Sequence, residues 1–333
     1  MASAPPPPTD DIAARTENLF LQREINPFFR DRLLTHIPKA KVVILCDDSS
    51  SMNLALPMPG ADPFAPSLNT RWLELKKYAS EIISVVTALN PNGVDLYFLH
   101  REKLLGVTSP AGLQAKFAEA PKCATTPLVA TLEYVYNETV PFLEKGQKLL
   151  IVCLCDGEPS GGPCETRDGI KQILKNITAS RQVHVAFAEM TSQEDDCAFL
   201  DGLDTQIPNF DNSDFYEYEC ARVKNIQGAQ FKFNTWDYTC KILLGTFDPW
   251  CFALDQYKVA DVRIGTSLIV PAIPSSTNTT TSVLPPSYYT TVGAPPPSTS
   301  QFSPPRPVSY TTPITFTTPP PVIPTQNGCC IVS

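Results

Sequence analysis

The sequence predicts an α/β domain, a doubly wound, mostly parallel open sheet with helices on both faces, between disordered Pro-rich termini. Three observations carry this. The uninterrupted apolar runs KVVILC (41–46) and KLLIVCLC (148–155) have the pattern of strands buried on both faces. Stretches of helical period alternate with such runs, as right-handed crossover units require. Proline is segregated: 15 of 34 fall at 264–333 and four at 5–8, while 67–263 hold nine, so a single core between extended ends is expected.

In chain order, residues 1–15 are expected to be disordered. Residues 16–37 form an extension whose Leu19, Phe20, Leu21, Ile25, Phe28, Phe29, Leu33 and Leu34 supply apolar surface around Pro27 and pack on the domain that follows. The domain itself spans 38–258. Its first strand, 41–46, ends abruptly in a polar loop, and a Pro-rich insertion follows at 56–66. Trp72, Leu75, Ala79, Ile82, Ile83, Val86 and Leu89 recur at helical spacing. The sequence NPNG at 90–93 stops that helix. A strand at 94–99, a weak helix at 110–120 and a stronger one at 127–143 precede the second buried strand. The helical period returns through Ile170, Ile173, Leu174 and Ile177, and VHVAF at 183–187 reads as a strand. Residues 197–203 look helical, 209–216 are ambiguous, and 237–244 read as a helix. Ligands of such sheets bind at the carboxyl ends of the strands.

Composition narrows the function. With 43% hydrophobic residues the 333-residue chain can bury a core, and its formal charge of −8 disfavours nucleic acid as a partner. Eleven cysteines, an odd and irregular set, are not a disulfide framework. Cys46, Cys153 and Cys155 fall inside strands as small hydrophobes, and the C-x-C of 153–155 with Cys164 lacks the paired spacing of zinc sites. The first residues show neither a basic region nor an apolar run of secretory type. A cytoplasmic protein is therefore expected.

The chemistry lies where the two buried strands end. Cys46 is followed by Asp47-Asp48-Ser49-Ser50-Ser51, and Cys155 by Asp156-Gly157-Glu158. If both strands are central, these loops are neighbours. Asp47, Ser49 and Ser51 follow a D-x-S-x-S spacing, and Thr126 adds a hydroxyl from a third loop. Carboxylate and hydroxyl oxygens without histidine or cysteine suit a hard cation. Asp48 is expected to face solvent or bond the loop backbone. Glu158 stands one step further out. His36, His100 and His184 are scattered, and no nucleophile sits in an elbow or dyad, so no enzyme is read here.

These residues resemble the von Willebrand factor A (vWA) domain with its metal-ion-dependent adhesion site, in an intracellular form of fungal type. The resemblance covers about 38–257, and Ser50 stands where many members have glycine. It implies that Asp47, Ser49, Ser51, Thr126 and Asp156 take the five ligand roles around Mg2+ (or Mn2+). Both serines would bind directly, Thr126 or Asp156 according to state, and Asp47 through water. It further implies cation-dependent capture of a protein that donates an Asp or Glu carboxylate. One alternative is a metal-dependent phosphohydrolase using Asp47 and Asp156, although the second acid such enzymes need two residues on is here Ser49. The structural alternative is that these residues only cap the loop and its helix.

From 259 to 328 the chain is Pro/Thr/Ser-rich with Arg306 as its single charge after Arg263, the composition of a disordered tether. Pro285, Pro286 and Tyr288 spell a P-P-x-Y ligand for WW domains, which allows a ubiquitin-ligase adaptor as a further alternative. Residues 329–333 read as a lipidation signal. Cys330 heads a C-a-a-X box for prenylation, and Cys329 is the adjacent site for a second, palmitoyl, chain. Association with the cytoplasmic face of a membrane is expected on this reading.

Overall fold

Apolar runs without polar alternation have no face to give to water, and here they occupy the middle of one six-stranded sheet. The computed structural model describes residues 9–56 and 69–259. The strands are β1 (Ala40–Cys46), β2 (Val94–Phe98), β3 (Leu104–Val107), β4 (Lys148–Cys155), β5 (Val183–Glu189) and β6 (Phe210–Ser213). Their order is β3-β2-β1-β4-β5-β6. All neighbours are parallel except the edge pair β2–β3. β1 and β4 are adjacent at the centre, with Val42 opposite Leu150 and Cys46 opposite Leu154. The chain order reverses about β1, which makes its carboxyl end the crevice of the sheet.

The helices are α1 (Thr9–Arg23), α2 (Arg30–His36), α3 (Arg71–Leu89), α4 (Gln114–Phe117), α5 (Leu128–Thr139), α6 (Arg167–Thr178), α7 (Glu194–Cys197), α8 (Tyr216–Gln227), α9 (Thr235–Leu244) and α10 (Pro249–Ala253). Alternate side chains of each strand point to opposite faces. Val42, Ile44, Leu150 and Val152 therefore pack with Leu75, Tyr78 and Ile82 of α3 and Leu243 of α9. Val43, Leu45, Ile151 and Val185 pack with Leu132 of α5 and Ile170 and Leu174 of α6. This is the doubly wound, mostly parallel α/β architecture that the sequence predicts.

Phe29, Leu33 and Ile37 are fully buried in the first of these cores. α1 begins at Thr9, so the disorder expected for 1–15 is corrected for residues 9–15, which are helical. Their polar composition hid the helix. The strand β3 was absent from the sequence reading because four half-exposed residues carry no period. The ambiguous stretch 209–216 resolves into β6 and the start of α8. α8 presents only Glu219, Cys220 and Val223 as buried residues, too few apolar groups to show a stripe.

The turn after α3 has a steric requirement. Gly93 sits at φ +71°, and a Cβ there would lie 2.3 Å from the carbonyl oxygen of Val107 on the edge strand. Only glycine turns the chain at that point. Among the described residues no helix is long and apolar enough to cross a membrane.

Candidate metal-ion site

The ladder between β1 and β4 runs one step past the strands, with the Asp47 amide donating to the Leu154 carbonyl at 3.0 Å. That bond holds the first acidic loop beside the second. A short 3-10 turn, Ser50–Asn53, then folds the serines back, anchored by the fully buried Met52. Ser49 pairs with Cys123 across a parallel bridge, and the Ser50 amide donates to the Cys123 carbonyl at 2.6 Å. Asn53 Nδ2 adds a bond to the Pro121 carbonyl at 2.7 Å. The third loop is thereby laced to the first.

Three of the five predicted site residues form one chain of oxygens, and a fourth, Asp47, is tied to it through the Ser49 amide. Asp47 Oδ1 accepts from the Ser49 amide at 2.8 Å, Ser49 Oγ lies 2.9 Å from Ser51 Oγ, and Ser51 Oγ donates to Asp156 Oδ1 at 3.0 Å. Asp47, Ser49 and Asp156 are buried. Thr126, also buried, is anchored through its backbone: its amide donates to Ser160, whose own amide returns a bond to the Thr126 carbonyl at 2.9 Å. Loop 157–162 and the Thr126 loop thus lie side by side.

Glu165 fastens that second loop to α5. Its carboxylate accepts from the amides of Val129 at 2.8 Å and Ala130 at 3.0 Å, two otherwise unpaired donors of the first helical turn. Glu165→Ala is expected to destabilise the domain by about 1–2 kcal/mol, by analogy with loss of a helix cap. Urea denaturation checks this, with Glu165→Gln recovering part of the loss.

One neighbour differs from expectation. Asp48 does not face solvent: it is buried, accepts from the His100 amide at 2.9 Å and pairs with Arg101 Nε at 3.2 Å. It bonds backbone, but that of the β2–β3 loop, where the His100 amide and the Arg101 guanidinium hold it. His100 itself reaches the Thr125 carbonyl through Nε2 at 2.7 Å. Glu158 is exposed and paired with Arg167. Cys46, Cys153 and Cys155 are buried, and burial raises the Cys46 and Cys153 thiols. Cys164 is exposed.

The residue that sequence reasoning missed is Arg71. The backbone closes a neck beneath the insertion: Leu56 donates to the Asn69 carbonyl at 3.0 Å, Ala55 bridges Thr70, and the Arg71 amide donates to the Leu54 carbonyl at 3.2 Å. The neck sets the first residue of α3 against the acidic loops. Arg71 Nη1 bonds Asp156 Oδ2 at 2.8 Å and Nη2 bonds Asp196 Oδ2 at 2.7 Å. One signal was available: a cation at the first position of a helix, after the capping Thr70, opposes the helix dipole.

Asp47 has a second carboxylate oxygen, Oδ2, that is buried and without a hydrogen-bond partner. Its carboxyl is pushed up to about 7, first by burial and then by the charge of Asp156. Such an orphan in a row of oxygens is what a cation would satisfy. The donor set therefore fits a hard divalent ion. Among the described residues no three His, Cys, Asp or Glu side chains are grouped to hold a metal, so any ion here depends on the hydroxyls.

No family model and no curated protein matches the chain. Among solved structures it is similar to proximal thread matrix protein 1 of the mussel byssus in a second crystal form, at 10% identity and a TM-score of 0.35, over 56% of this chain and 46% of that one. It is also similar to the VWA domain of SpRpn10, at 14% identity and a TM-score of 0.39, over 53% of this chain and 87% of that one. The chain thus spans less than half the length of the byssus protein. The fold assignment rests on the strand order and register given above.

Cys329, Cys330, Pro285, Pro286 and Tyr288 lie outside the described residues.

Proposed function

We propose that this chain is a protein-interaction module of vWA type whose binding depends on a divalent ion. Ser49, Ser51 and Asp156 would hold Mg2+ or Mn2+, with Asp47 and Thr126 completing the set. When bound, the ion supplies a bridge from these oxygens to a carboxylate of a partner protein. The observation that carries the reading is the buried, unpartnered Asp47 Oδ2 on the residue whose Oδ1 caps Ser49, the first member of the Ser49-Ser51-Asp156 oxygen chain. Binding rather than catalysis is assigned, since the position two residues after Asp47 is a serine whose amide caps Asp47 itself.

Calorimetric titration with Mg2+ tests it. The wild-type chain is expected to bind, and Asp47→Asn to lose at least about tenfold in affinity, roughly 1.4 kcal/mol. The variant keeps the acceptor for the Ser49 amide, so its circular dichroism should match wild type. Equal Mg2+ affinity in the two proteins would refute the assignment.

A further inference from the structure

We propose that Arg71 is a built-in counter-cation of this site: it holds and offsets Asp156, and so weakens the grip on the divalent ion. The inference rests on the divalent-ion reading above.

Three features single Arg71 out. It opens α3, where the helix dipole favours anions. It is buried, and its Nε has no hydrogen-bond partner, so the guanidinium is only partly repaid for leaving water. What holds it is the pair of carboxylates, Asp156 at 2.8 Å and Asp196 at 2.7 Å, the latter fixed by the Thr191 hydroxyl at 2.9 Å.

The charges decide the consequence. Asp47 and Asp156 alone would cancel a divalent ion. Asp48 and Arg101 neutralise each other at 3.2 Å, and Asp196 at 2.7 Å balances Arg71 in the same way, so the loaded site carries no excess charge. The effect of Arg71 falls on Asp156, whose second oxygen it holds. Asp156 meets Ser51 through Oδ1 and Arg71 through Oδ2. One oxygen thus remains turned to the ion-binding row and the other is committed to the cation. Arg71 acts through Asp156 and is a positioning and charge-setting residue.

Mg2+ titration of wild type, Arg71→Met and Arg71→Lys tests the idea. Removing the charge is expected to tighten Mg2+ binding at least about fivefold, and lysine to stay within about twofold of wild type. A merely structural role predicts unchanged or weaker Mg2+ binding in Arg71→Met, and that result overturns the proposal while leaving the ion site standing. Absence of Mg2+ binding in wild type overturns both. Should Arg71→Met fail to fold, Arg71→Gln carries the same expectation.

Discussion

Lys241→Met should destabilise the domain by about 3–5 kcal/mol, the range for removing one partner of a buried ion pair. Lys241 is fully buried in α9, with Glu219 at 3.0 Å, Asp255 at 3.1 Å and Asp211 at 4.0 Å from its ammonium. Burial alone would lower its pKa, but the three carboxylates outweigh burial and raise it. The same burial pushes Asp211 up to about 7 and Glu219 up to about 8. The cluster has no slack: a Cβ on Gly245 would fall 1.8 Å from Asp211 Oδ2. Without the lysine, the carboxylates can be relieved only by protonation. The deficit of the variant should therefore shrink at pH 5.5 and widen at pH 8. Urea unfolding at both values checks it, and a deficit that does not change with pH would exclude the uncompensated-charge explanation.

The legible part of this protein was the part governed by period and by local spelling. β1, β4, β5, α3, α5 and α6 carry uninterrupted apolar runs or clean helical stripes, and alternation of the two forced a parallel sheet. Asp47, Ser49, Ser51 and Asp156 were legible because they follow those strands directly, and adjacency of β1 and β4 brings them together. Elements whose contacts are mostly polar did not show. β3 is an exposed edge, α8 buries a glutamate with few apolar residues, and Lys241 sits in the apolar sequence CKILL with nothing nearby in the chain to mark its three acids. Arg71 lies on the far side of an insertion, and only the neck formed by Leu54, Ala55 and Thr70 brings it to Asp156. Local composition cannot encode such a closure.

A second large effect is expected from Glu189, at the carboxyl end of β5. It is buried, its Oε1 accepts from Asn212 Nδ2 at 2.9 Å, and its carboxyl is pushed up to about 8, chiefly by burial. A carboxyl whose folded pKa exceeds its unfolded value binds more protons when folded. Its contribution is therefore full below the unfolded pKa of about 4 and is lost as pH rises toward 8, at up to about 1.4 kcal/mol per pH unit. His184 acts in the opposite sense. Burial first, and then Lys148, pull it down to about 4, so it stays neutral in the fold and costs stability as pH falls below about 6.5. Wild-type stability should accordingly fall on both sides of mildly acidic pH. Glu189→Gln keeps an acceptor for Asn212 and removes the ionisation. It should match wild type near pH 4.5 and exceed it by at least about 1 kcal/mol at pH 8, with a flatter alkaline limb in urea unfolding. A variant that tracks wild type across that range would show Glu189 to ionise freely in the fold.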